Sequence, residues 1–284
     1  MAINFKFLFQ QTGKLLLFYI VELRGFYWSL PFNKNKIFSI KILPGYTIKY
    51  AAKGDIAEII YKNEVLIKFK KSFEYSTLKL FSTILKQGDV IIDVGANSGL
   101  YSIFYSKLVG EEGKVHAFEP DSVTFSLLNE NLKLNNCNNV VTYNFALSNK
   151  ESRVEMVAFN PKNLKLKNAD SFKYIQEVAA DKLNWETDTI DAFKLDDLKE
   201  FNKADKIDCI KIDVEGAELL VLQGSENTIL KHKPIIILEL SGEWTKRFNY
   251  KPYQVLVFLN QLGYEMEEYD FQQWIARPVK QQAY

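Results

Sequence analysis

The chain has 284 residues, 47% of them hydrophobic and 25% charged, with a formal net charge of +1. That length suits one large α/β domain with an extension and is short for three domains. The near-neutral charge argues against a nucleic-acid-binding field. Two cysteines (Cys137, Cys209) and two histidines (His116, His232) in no ligand spacing give no reason to expect a metal site.

The first element is apolar, Lys14-Leu15-Leu16-Leu17-Phe18-Tyr19-Ile20-Val21, with aromatics continuing through Phe26-Tyr27-Trp28. Glu22, Arg24 and Gly25 interrupt the run, which falls short of the ~20 apolar residues that a spanning helix needs. No small-residue cleavage pattern follows, so a signal peptide is not expected. The favoured reading packs this helix on the main domain. Contact of residues 14–30 with a membrane surface is the less favoured one. The expected location is cytoplasmic, with a membrane-peripheral variant. Segments 37–42, 46–50 and 65–69 are β-rich, separated by the turn signals Pro44-Gly45 and Lys62-Asn63. Residues 1–75 therefore read as an α+β extension and residues 76–284 as the main domain.

A helical spacing of Leu78, Leu80, Phe81, Ile84 and Leu85 spans residues 75–86. Strands then alternate with helices. Strands are expected at 90–92, 114–119, 140–144, 207–214 and 234–240, and helices after Gly99, at 120–134, at 218–230 and at 253–262. Such alternation predicts a doubly wound, mostly parallel sheet. The last two strands, 264–269 and 274–276, are joined by too short a link for a parallel crossover and predict an antiparallel hairpin. Residues 150–187 break the rhythm and read as an insertion at the ligand-facing edge, with a strand at 154–159. Phe172, Tyr174 and Trp185 in it could stack on a sugar face or simply pack the insertion down.

The run Asp93-Val94-Gly95-Ala96-Asn97-Ser98-Gly99 lies between a buried strand and a helix. A glycine turn there admits a ligand to the backbone and the helix N-terminus. Glu119 at the end of the next strand is placed to accept both hydroxyls of a ribose. A dinucleotide turn has a second glycine where this chain has Asn97. The amide, with Asp93 beside it, suits a cofactor carrying an amino-acid end and a sulfonium, which is S-adenosylmethionine. The rival readings are an NAD-dependent oxidoreductase and a non-catalytic binding protein on the same fold.

Three blocks, Asp93-Val94-Gly95-Ala96-Asn97-Ser98-Gly99, Ala117-Phe118-Glu119-Pro120 and Ile210-Lys211-Ile212-Asp213-Val214-Glu215-Gly216-Ala217-Glu218, resemble those of the FkbM-type methyltransferases. The resemblance runs from about Phe73 to Leu240. It implies a Rossmann-like class I methyltransferase sheet of seven strands, mostly parallel with the last antiparallel. It also implies methylation of a hydroxyl-bearing acceptor such as a sugar, glycan or secondary metabolite. By the same resemblance Gly95, Asn97 and Gly99 border the methionine part of the cofactor, and Asp93 holds the loop or faces the amino group. Glu119 binds ribose, Ala146 flanks adenine, and Glu74 closes the pocket. Asp213, Glu215 and Glu239 are the candidate catalytic carboxylates. Three acids on one cleft repel one another, so at least one pKa should rise toward neutrality, as a general base requires. Asp213 or Glu215 is the expected base or acceptor-orienting group, with Glu239 in support. Glu218 reads as an acid favoured by the helix dipole, Lys211 as a counter-ion, and His116 and Cys209 as core residues.

Overall fold

The computed structural model describes residues 36–52, 73–159, 173–176 and 185–279. The apolar run at 14–28 and the expected strand at 65–69 lie outside them. Among the described residues no helix is long and apolar enough to cross a membrane. The chain divides into two compact units, Met1–Ser76 and Thr77–Tyr284.

The first unit contains an antiparallel hairpin, β1 (Lys36–Leu43) and β2 (Tyr46–Ala52), turning at Pro44-Gly45. Gly45 takes φ +86° there, in the left-handed region open to glycine. Helix α1 (Phe73–Ile84) crosses the unit boundary, and its Leu78 and Phe81 are fully buried.

The second unit is built on a seven-stranded sheet. Its strands are β3 (Val90–Val94), β4 (Lys114–Phe118), β5 (Val140–Tyr143), β10 (Cys209–Ile212), β11 (Ile235–Glu239), β12 (Tyr264–Asp270) and β13 (Gln273–Pro278). They lie in the order β12-β13-β11-β10-β3-β4-β5. Neighbours from β5 to β11 are parallel, and β13 is antiparallel to both β11 and β12. The central strands are apolar along nearly their whole length, as burial on both faces demands. The C-terminal hairpin thus inserts its second strand beside β11, leaving β12 at the edge.

Helices α2 (Leu100–Val109) and α3 (Ser122–Leu134) follow β3 and β4. Asp121 caps α3, its carboxylate accepting the Thr124 N–H at 2.7 Å. The single helix expected at 218–230 is two, separated at Gly224-Ser225: α5 (Glu218–Gln223) and α6 (Glu226–His232), after the short α4 (Lys199–Asn202). Gly224 packs on the Ser148 carbonyl so closely that a Cβ would sit 1.9 Å from its oxygen, and the helix breaks to allow that approach. The last helix, α7 (Pro252–Gln261), precedes the hairpin.

The expected insertion is wider than 150–187. β6 (Ala146–Leu147), β7 (Ser152–Phe159), β8 (Lys173–Gln176) and β9 (Trp185–Phe193) form a separate four-stranded sheet in the order β6-β9-β7-β8. Cys209 and His116 are core residues: Cys209 is buried, and His116 packs edge-on to Phe201 with Nδ1 2.9 Å from the Tyr143 hydroxyl.

Candidate active site

The turn after β3 is held by the next strand. The Gly95 and Ala96 N–H groups both donate to the Phe118 carbonyl, at 3.0 and 2.9 Å. Glu119, just past the end of β4, accepts the Asn97 N–H on Oε2 and the Asp121 N–H on Oε1, each at 2.9 Å. This buried carboxylate therefore pins the glycine turn to the strand beside it. Asn97 adopts φ +51°, and its side-chain oxygen accepts the Ser98 N–H at 2.6 Å. Asparagine tolerates that left-handed backbone because of such local bonding.

Gly95 has φ +80°, and a Cβ on it would lie 1.9 Å from the Asp213 carbonyl oxygen. The glycine is thus required by the protein's own backbone. It brings the cofactor-type turn into direct contact with the end of β10, where the carboxylate block begins. Gly99, at φ +94°, faces the end of the Leu128 side chain, which a Cβ would meet at 2.7 Å.

Asp93 is fully buried. Its Oδ2 accepts the Ser102 hydroxyl at 2.6 Å and its Oδ1 lies 3.8 Å from Lys211 Nζ, with no hydrogen bond of its own. Burial raises its pKa, while Lys211 and Ser102 oppose the shift. Lys211 pairs with Asp213 Oδ2 at 3.2 Å and lies 4.7 Å from the centre of the Tyr101 ring. Burial pulls the Lys211 ammonium down, but the Asp213 and Asp93 charges outweigh it and the net shift is upward. Opposed residues of parallel strands share a face, and Asp93 pairs with Lys211 in register. The buried cation therefore sits between two carboxylates by construction.

Glu239, at the end of β11, and Glu215, in the loop after β10, complete the cluster. Glu215 takes φ +55°, a strained value for a residue with a Cβ. Its Oε2 is buried without a hydrogen bond. Burial, then Asp213 and Glu239, push its carboxyl up to about 9. Burial and Asp213 push Glu239 up to about 7, against the opposing effects of Gln273 and Lys211.

Gln273 escaped the sequence reading. It is buried, pairs with Glu239 across the antiparallel β11–β13 ladder, and bonds to the Glu239 carboxyl. The Tyr269 hydroxyl donates to Gln273 Oε1 at 3.3 Å, which leaves the amide hydrogens for Glu239. Tyr269 also shares a 3.0 Å hydrogen bond with Thr77. No motif marks these residues; only the hairpin register aligns them. Arg247 was missed too: it stacks over Trp244 with 5.5 Å to the ring centre and reaches the Glu215 carbonyl at 3.5 Å.

Ala146 is buried in β6 and packs with Met156, Ile190 and Ala192, while the neighbouring Phe145 ring joins those of Phe118, Tyr143 and Phe193. Glu74 lies in the first turn of α1, but its side chain is outside the described residues, as are Phe172 and the side chains of Tyr174 and Trp185. The structure thus brings Glu119, Gly95, Asn97, Asp213, Glu215 and Glu239 to one sheet edge. Asp93 it sets beneath that edge. Among the described residues no group of three or more His, Cys, Asp or Glu side chains could hold a metal ion.

The carboxylates at this edge complement a sulfonium, an ammonium and a ribose, and would repel a pyrophosphate. That donor set fits S-adenosylmethionine and disfavours a dinucleotide.

Comparison with known proteins places the chain in a family. The model of the methyltransferase FkbM domain matches residues 93–266. The chain is 30% identical over 146 residues to Methyltransferase 1 of Beauveria bassiana, covering 48% of this chain and 58% of that protein. It is 27% identical over 164 residues to the hexuronic acid methyltransferase AglP of Haloferax volcanii, covering 58% and 61%. The chain thus matches about three-fifths of these relatives' length. A solved FkbM methyltransferase of Methylobacillus flagellatus aligns over 78% of this chain and 54% of its own, at 17% identity and a TM-score of 0.47.

Proposed function

The chain belongs to the FkbM methyltransferase family, and from that premise we propose that it transfers a methyl group from S-adenosylmethionine to a hydroxyl of a sugar or glycan. Membership sets the NAD-dependent oxidoreductase reading aside. The observation that carries the proposal is the contact between the glycine turn and the carboxylate edge, Gly95 against the Asp213 carbonyl. It supports a reading in which Asp213, Glu215 and Glu239 face the far end of a cofactor bound at the turn. The hexuronic acid named for the Haloferax relative supports a carbohydrate acceptor.

In this reading Glu119 and the Asn97 turn hold the ribose and methionine parts of the cofactor, and Ala146 flanks its adenine. Asp93 holds the strand–helix junction from below through Ser102 and Lys211. When bound, the cofactor supplies an electrophilic methyl group on a sulfonium. Methyl transfer is an in-line displacement, so the chain's main work is positioning. Two carboxyls differ in their readiness to take a proton. Glu239, raised to about 7, is matched to accept the acceptor's proton near neutral pH. Glu215, raised to about 9, carries a proton there and donates a hydrogen bond that orients the acceptor oxygen. Asp213, ion-paired with Lys211, keeps the field negative beside the sulfonium. This reading makes Glu239 the base, where the sequence reading had Asp213 or Glu215 as base with Glu239 in support.

The test incubates the full chain with methyl-labelled S-adenosylmethionine and a panel of uronic acids, neutral sugars and glycans. Label on an acceptor hydroxyl supports the reading. Calorimetric binding of the cofactor with no transfer to any member of the panel would favour a binding protein on this fold.

A further inference from the structure

The strained Glu215 backbone is held by a group of hydrogen bonds that the methyl-transfer chemistry does not itself use. Glu218 is almost wholly buried at the start of α5, and its Oε1 accepts the Gly216 N–H at 2.9 Å. The Tyr250 hydroxyl lies 2.6 Å from the Gly216 carbonyl and 3.0 Å from Glu218 Oε2. The Leu219 N–H points at the same hydroxyl from 3.3 Å. A phenol has one hydrogen. The Gly216 carbonyl can only accept, and the 2.6 Å contact is the shorter, so the hydrogen goes there. The 3.0 Å contact between Tyr250 and Glu218 then needs a hydrogen from the carboxyl.

We propose that Glu218 is neutral in the folded protein and closes, with Tyr250, a hydrogen-bonded ring around Gly216 that locks Glu215 in its left-handed conformation. The ring runs from the Gly216 N–H to Glu218 Oε1, from the Glu218 O–H to Tyr250, and from the Tyr250 O–H to the Gly216 carbonyl. Gly216 has φ +112°, and a Cβ there would meet the Trp244 carbonyl oxygen at 2.5 Å, so the turn is also pressed against the loop that carries Tyr250. Glu218 and Tyr250 are positioning residues. They fix where the Glu215 carboxyl stands relative to Asp213 and Glu239 without touching the acceptor. Asp213 from the end of β10, Glu215 from the turn and Tyr250 from the opposite loop face Glu218, and Arg247 reaches the far side of the turn. Burial pushes Glu218 up to about 7, with Asp213 adding to it and the hydrogen bonds from the Gly216 and Glu218 N–H groups and Tyr250 opposing it. The ring stands on geometry alone; its catalytic role rests on the function proposed above.

The experiment compares Glu218→Gln, Glu218→Leu and Tyr250→Phe in the full chain at pH 6. Readouts are hydrogen exchange in a peptide spanning residues 214–219, urea denaturation, sinefungin binding by calorimetry, and methyl transfer to the acceptor found by the panel. A glutamine amide supplies the hydrogen that a neutral acid supplies, so Glu218→Gln should keep wild-type exchange protection and kcat within about threefold. Tyr250→Phe should raise exchange at the turn at least tenfold and lower kcat while leaving sinefungin affinity and KM nearly unchanged. If Glu218→Leu does not fold, the glutamine and phenylalanine variants still decide. Loss of protection in Glu218→Gln equal to that in Tyr250→Phe, or wild-type protection in Tyr250→Phe, overturns the ring. Exchange and stability need no acceptor, so an intact ring with no methyl transfer would count against the function and not against the ring.

Discussion

Replacing Lys211 with methionine removes the one partner within 4 Å of both Asp93 and Asp213 among the described ion pairs. The side chains of Lys211 and Asp93 are 6% and 0% exposed, whereas that of Asp213 is 31% exposed. Asp213 recovers hydration when the ammonium goes, and Asp93 cannot. The penalty therefore falls mainly on Asp93, and breaking a buried pair from one side costs about 3–5 kcal/mol. Burial already raises the Asp93 pKa, and losing Lys211 raises it further. The folded variant then binds more protons than its unfolded chain, so acidification stabilises it relative to the wild type. Urea denaturation of Lys211→Met should show a deficit of that size at pH 8, shrinking toward pH 5, with the m-value unchanged. Adding Asp93→Asn should recover most of the loss. A deficit under about 1 kcal/mol, one that ignores pH, or one that Asp93→Asn does not relieve would refute a buried, charge-sharing lysine.

Glu239→Gln should lower kcat by about 10²–10⁴ with cofactor binding retained, measured by transfer of labelled methyl groups and by calorimetry. The pH profile of kcat/KM should rise as Glu239 loses its proton near 7 and fall as Glu215 loses its own near 9; a flat profile would remove both assignments. Glu119→Ala should weaken cofactor affinity and also loosen the turn, seen as faster hydrogen exchange at Asn97, because the carboxylate holds that N–H. Gly95→Ala should fail to fold or lose several kcal/mol of stability in thermal melts, since the added methyl meets the Asp213 carbonyl in a left-handed backbone.

The sequence by itself determined the alternation of strands and helices, because hydrophobic period and turn residues are local properties of the chain. It also placed Glu119, Asp213 and Glu239 at strand ends, since a carboxylate that closes an apolar run marks where the sheet meets solvent. The hairpin's antiparallel sense followed from the length of its link. What it did not carry was anything set by pairing across the fold. Gln273 faces Glu239 only because β13 enters between β12 and β11, and Lys211 reaches Asp93 only through the β3–β10 register. Gly95 reads in sequence as an opening for a ligand, yet its closest neighbour is the Asp213 backbone. The division of labour proposed for the acids was likewise invisible, because burial and neighbouring charge fix a proton's affinity and neither belongs to one stretch of sequence. Residue identity supplied the carboxyls; their packing decides which one holds a proton.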